Sequence, residues 1–147
     1  MSFSLADVGS GGGLIGIPIK IACPDIGVTL IEPVQRKFDF LNFVTVQLGL
    51  KAMKVSRDSA EKYRQKGAGA FDAAIARALA PLENSLQLGL PLVRSKGYFL
   101  LYQSQPVNPT PQLQAALAKD SARLLQSVPY RLPAESKERF LAVFEKN

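Results

Sequence analysis

The chain has no histidine and a single cysteine, Cys23, among its 147 residues. The first absence removes every triad and acid–base scheme built on imidazole. The two together remove disulfides and ordinary zinc sites, so no metal is expected. No apolar run reaches bilayer-spanning length, and the first residues lack the basic stretch, apolar core and cleavage site of a leader. A cytoplasmic location with no membrane association is therefore expected. Acidic residues are also scarce, 12 against 18 basic ones, for a net charge of +6. The imbalance is local: residues 51–100 carry nine basic and four acidic side chains, whereas residues 1–50 carry three and four. Such a surplus suits a polyanion such as RNA, or equally a solvated lysine-rich surface. The length and the 47% apolar content predict one domain, residues 1–147, with a proper core.

What the chain does have is glycine in one place. Residues 5–18 read as an apolar strand closed by Asp7, four glycines within five positions (Gly9, Gly11, Gly12, Gly13), and an apolar helix start at Gly16-Ile17-Pro18. Glycine lets a turn take positive φ and lets a ligand lie against the main chain. The free N–H groups of the next helical turn then face that ligand. Gly11-x-Gly13-x-x-Gly16 matches a dinucleotide fingerprint, a weak signal alone. Asp7-x-Gly9-x-Gly11-x-Gly13, with Ser10 inside it, matches an S-adenosylmethionine turn, in which the acid pairs with the ammonium of the methionine part. A pyrophosphate would gain nothing from that carboxylate. Glu32, some twenty residues on and closing a second strand, is placed to accept both ribose hydroxyls. Methyl transfer from a sulfonium ion to a ring nitrogen that bears no proton runs without metal or histidine, since alignment supplies most of the catalysis.

In chain order the patterning predicts a strand at 3–8 and a buried helix at 14–22 followed by a buried Cys23. A strand at 28–32 and a helix at 36–48 come next, the helix carrying Phe38, Leu41, Val44 and Leu48 on one face. Residues 53–55 form a short strand, and 58–66 a polar loop with a short helix. Residues 71–76 form a strand of small residues, which puts Arg77 at its carboxyl end, where open α/β sheets bind ligands. A helix at 82–93, a strand at 98–102, a proline-rich rim loop at 104–111 and a helix at 112–119 follow. Two final strands, 123–130 and 139–146, are too close for a crossover helix and pair antiparallel. The fold class is α/β: a doubly wound, mostly parallel seven-stranded sheet with an antiparallel edge strand.

Asp7-Val8-Gly9-Ser10-Gly11-Gly12-Gly13-Leu14 with Gly16-Ile17-Pro18 resembles the glycine turn of the GidB/RsmG family. So do Leu30-Ile31-Glu32, Arg36-Lys37 with Phe40-Leu41, Ala60-Glu61, and Ala76-Arg77-Ala78 with Leu79. The resemblance implies the class I S-adenosylmethionine-dependent methyltransferase fold, and methylation of N7 of a guanine in small-subunit (16S) ribosomal RNA; a monomer is expected. It implies cofactor contacts at Gly9 and Leu14, at the backbone of Ala60 and Glu61 around the adenine, and at Arg77, with Glu32 on the ribose. Guanine N7 is a bare acceptor on the base's major-groove edge, so no general base is required.

The chain departs from the family pattern where members carry about sixty residues of helices before the glycine turn. Gln103 stands for the usual lysine, Ser104 for glycine, Ser59 for arginine and Ile15 for proline. Losing two cations weakens RNA contacts and flattens their salt dependence. Two alternatives stay open: a shortened, non-catalytic relative that keeps the cofactor, and an NAD-dependent oxidoreductase resting on Gly11-x-Gly13-x-x-Gly16.

Overall fold

Short apolar runs, most of them spaced by helix-length stretches, fold into one seven-stranded sheet with helices on both faces. The computed structural model describes residues 3–67, 69–77 and 79–147; Ala78 of the Ala76-Arg77-Ala78 motif lies outside them. The chain runs β1 (Ser4–Val8), α1 (Gly16–Ala22), β2 (Gly27–Ile31), α2 (Gln35–Gln47), β3 (Met53–Ser56), α3 (Ala60–Gly67) and β4 (Phe71–Arg77). It continues through α4 (Leu82–Gly89), a 3₁₀ turn (Leu90–Leu92), β5 (Val93–Gln103), α5 (Pro111–Ala118), β6 (Ala122–Arg131) and β7 (Glu138–Lys146).

The strand order is β3-β2-β1-β4-β5-β7-β6. The first five strands pair in parallel. β7 is antiparallel to both of its neighbours, β5 and β6, and so sits one strand in from the edge. From β1 the chain winds outward to β3, and from β4 it winds the other way. The β1/β4 boundary is thus the switch point at which doubly wound sheets open a ligand crevice.

Each central strand buries both faces, so alternate residues feed two cores. Leu5, Val28, Leu30, Ala73 and Ile75 pack with Ile17 of α1 and Leu41 of α2. Ala6, Val8, Ile31, Ala74, Ala76, Phe99 and Phe144 pack on the other side with Leu86, Leu113 and Leu117 of α4 and α5.

The structure corrects several local expectations. Only Gly16, Ile17 and Lys20 of α1 are buried; Pro18, Ile21 and Cys23 are exposed, because the helix meets the sheet along one narrow stripe and Cys23 lies past its end. The buried member is a lysine: Lys20 Nζ donates to the carbonyls of Pro24 and Ile26 at 2.6 and 2.5 Å. Replacing it with methionine leaves both carbonyls unmet and should lower unfolding stability by about 2 kcal/mol in a urea titration; an unchanged midpoint would contradict this.

Leu48 is 51% exposed, whereas Thr45 is buried in its place. The predicted 82–93 helix stops at Gly89, since Pro91 lacks a donor, and β5 begins at Val93 rather than at residue 98. The early start is interrupted by a bulge opposite Phe71 to Ala73, with Lys96 at φ +61°. The short helix expected within the polar stretch 58–66 is α3, which takes up most of that stretch, from Ala60 to Gly67. Pro111 belongs to α5, at its first turn, where a missing N–H is harmless, and Thr110 Oγ1 caps Leu113 N at 3.1 Å. Among the described residues, no helix is long and apolar enough to cross a membrane.

Candidate functional site

A cleft of about 550 Å³ opens at the carboxyl ends of β1 and β4 and is lined by residues from six stretches of the chain. A volume of that order holds a nucleoside-sized ligand.

Its floor is the segment after β1. Gly9, Gly11 and Gly13 take φ of +70°, +58° and +75°, which other residues adopt only under strain. The alternation folds the main chain back on itself. Gly9 N and Ser10 N both donate to Ile31 O, and Gly13 N donates to Ser10 O at 2.8 Å. Gly16, the first residue of α1, faces Asp7 so closely that a Cβ there would meet Leu30 and lie 2.9 Å from Asp7 Oδ2.

That closeness has a use. Gly16 N donates to Asp7 Oδ2 at 2.9 Å, tying the helix start to the end of β1. Asp7 is 2% exposed, and burial pushes its carboxyl up to about 6. The Gly16 bond and Arg77 oppose that shift, while the nearby Glu32 adds to it.

Among the described residues, the amides of Gly12, Leu14 and Ile15 donate to no protein acceptor. All three residues line the cleft, with Asp7, Gly9, Ser10, Gly11 and Arg77. A Cβ on Gly12 would meet nothing within 4 Å. The corner therefore presents unpaired donors to open space beside one buried carboxylate.

The remaining sequence-predicted residues lie elsewhere. Gly13 is buried under Ile17 and Leu41. Glu32 is 3% exposed and does not line the cleft; its Oε2 accepts from Gly11 N at 2.8 Å and its Oε1 from Val34 N at 3.0 Å. It thus braces the glycine turn from behind. Ala60, buried in the core, and Glu61, exposed, start α3 beyond the carboxyl end of β3 and do not border the cleft. Hydrogen bonds from its own backbone amide and from the Ser59 hydroxyl hold the Glu61 carboxyl below its ordinary range.

Arg77 ends β4, exposed, in register with Tyr102 of β5. Sequence reasoning missed the far wall: Lys37, Tyr102, Tyr130, Lys137 and Arg139. Tyr102 carried the same signal as Arg77, a polar side chain closing a central strand. Tyr130, Lys137 and Arg139 had none, because only the insertion of β7 beside β5 brings them back. Arg139 is held by Glu135 at 2.7 Å.

A family profile described as rRNA small subunit methyltransferase G matches residues 1–138. Ribosomal RNA small subunit methyltransferase G of Caldanaerobacter subterraneus subsp. tengcongensis is 34% identical over 146 residues, covering 95% of this chain and 59% of that protein. The protein of the same name from Sorangium cellulosum is 46% identical over 102 residues, covering 69% and 43% respectively. The chain thus spans less than two thirds of the length of these relatives. Among solved structures, M. jannaschii TYW2 in complex with AdoMet superposes with a TM-score of 0.77 at 14% identity, covering 99% of this chain and 70% of that one. The antibiotic-resistance methyltransferase Kmr does so with a TM-score of 0.77 at 15% identity, covering 98% and 86%. Those likenesses show a shared fold, the class I methyltransferase sheet. With the profile running from the first residue through the start of β7, the chain belongs to the rRNA small subunit methyltransferase G family.

Proposed function

We propose that the cleft binds S-adenosylmethionine and that the chain methylates N7 of a guanine in small-subunit ribosomal RNA. The observation carrying this reading is the glycine corner, where unpaired amides of Gly12, Leu14 and Ile15 border the same cleft as the Asp7 carboxylate. That donor set suits the amino-acid end of the cofactor: amides meet its carboxylate and Asp7 its ammonium. It suits a pyrophosphate poorly, because the Asp7 charge would oppose it. Open space at Gly12 lets a ligand lie on the main chain.

Of the residues expected to hold the cofactor, Asp7, Gly9, Ser10, Gly11, Leu14 and Arg77 line the cleft and would touch it; Gly13 and Glu32 brace the turn from beneath, and Ala60 and Glu61 lie outside the cleft. When bound, the cofactor supplies a methyl group already activated on sulfur. The chain's own task is alignment, which agrees with a sequence that has no histidine, since guanine N7 needs no base to accept a methyl group. Lys37 and Lys137 at the cleft offer charge to RNA phosphates.

Arg77→Ala is expected to lower methyl transfer to small-subunit RNA about 10-fold or more. Normal turnover would remove Arg77 from the reacting centre. Cofactor binding without any transfer by the wild-type chain would favour a non-catalytic relative instead.

A further inference from the structure

We propose that Tyr130, braced edge-on by Tyr102, is the platform on which the acceptor purine stacks; the inference rests on the RNA-methyltransferase reading above. The two tyrosines are the only aromatic residues among the described residues lining the cleft, whose other members are small, aliphatic, polar or charged. They come from separate strands. Tyr102 lies one residue from the end of β5, beside Arg77, and Tyr130 lies near the end of β6, opposite Arg139 of β7. Their ring centroids are 5.8 Å apart and their planes 78° apart. A perpendicular contact uses the face of one ring only, so the pair is held in place while other faces remain available.

The two rings are not equivalent. Tyr102 packs against the core on the α1/α2 side of the sheet, which fixes it as the support. Tyr130 is partly exposed and belongs to neither core cluster, which leaves it to the ligand. The site faces the same open space as the Asp7–Gly12 corner, so a base on Tyr130 shares the cleft with whatever the glycine turn holds. Lys137 follows on the β6–β7 connection and borders the cleft too, where it suits the phosphate of a stacked nucleotide. Single-stranded bases dock on aromatic rings in this way with little dependence on hydrogen bonding.

The test uses the chain saturated with S-adenosylhomocysteine and a short single-stranded RNA carrying 2-aminopurine at the acceptor position, whose fluorescence is quenched on stacking. Tyr130→Ala should weaken RNA binding about 10- to 100-fold and abolish the quench, while Tyr130→Phe should keep both. Affinity for S-adenosylhomocysteine should be the same in all three proteins, which also reports that the variants fold. Equal quench and affinity in Tyr130→Ala, a Phe variant as impaired as the Ala variant, or no quench with the wild type would each overturn the inference while the cofactor reading stands. A wild-type chain that binds no S-adenosylhomocysteine would overturn the methyltransferase reading, and this inference with it.

Discussion

Replacing Asp7 with asparagine should make the ligand-free chain more stable at pH 7 and cost it most of its cofactor affinity. The carboxyl titrates near 6 in the fold, raised from 3.8 by burial. Folding therefore favours its protonated form, and ionising it is opposed by about 3 kcal/mol, at 1.36 kcal/mol per pH unit. The sign follows from the two values. Below 3.8 both folded and unfolded chains are protonated and the penalty is absent; between 3.8 and 6 it grows with pH; above 6 it is complete. Asparagine carries no charge and keeps an oxygen to accept from Gly16 N, so it should recover up to about 3 kcal/mol at pH 7 and nothing at pH 3.5.

Binding should move the other way. Without the anion, the ammonium end of the cofactor has no counter-charge in a buried site, and affinity for S-adenosylhomocysteine should fall about 100-fold. In the wild type, affinity should weaken up to 10-fold per pH unit below about 6, as Asp7 takes up its proton. Urea titrations at pH 3.5 and 7, set beside calorimetry of both proteins, check these expectations. A variant destabilised at pH 7, or one that binds normally, would contradict them.

Two neighbouring glycines should fail in opposite ways. At Gly12 a Cβ meets nothing within 4 Å, and the backbone there does not take a positive φ. Gly12→Val should therefore change unfolding stability by less than about 1 kcal/mol, while its side chain projects into space where the ligand would lie and abolishes binding. At Gly16 a Cβ would collide with Leu30 and sit 2.9 Å from Asp7 Oδ2. Gly16→Val has to push apart the end of β1, the start of α1 and the floor of the core, a loss of about 3 kcal/mol. Thermal melts with and without S-adenosylhomocysteine separate the two. Equal melting temperatures for both variants would contradict the packing argument. A Gly12→Val chain still protected by ligand would contradict the placement of the cleft.

The parts of the molecule legible in advance were those whose cause is local. Asp7 and the glycines announce a tight turn because few other sequences tolerate three positive φ values in five residues, and β2 announces itself through its β-branched run. What could not be read depends on partners distant in sequence. Lys20 is buried in an otherwise apolar helix only because two carbonyls of the following turn reach it. The same helix leaves Cys23 exposed, a fact set by how narrow its contact with the sheet is.

Glu32 was recognisable as a strand-end acid, but its grip on Gly11 and Val34 comes from the fold of the turn around it. The far wall of the cleft was the least legible. Tyr130 and Lys137 reach it because β7 slots between β5 and β6, a pairing that periodicity predicts as a hairpin without saying where the hairpin docks.

On the reading proposed, the corner between β1 and α1 would hold a sulfonium nucleoside through bare amides and a carboxylate. Isothermal titration of the wild-type chain at pH 7.5 with S-adenosylhomocysteine, and separately with NAD, tests it most directly. One molecule of S-adenosylhomocysteine bound per chain, with no heat from NAD, is the result predicted; silence from S-adenosylhomocysteine, or saturable binding of NAD in its place, would contradict it.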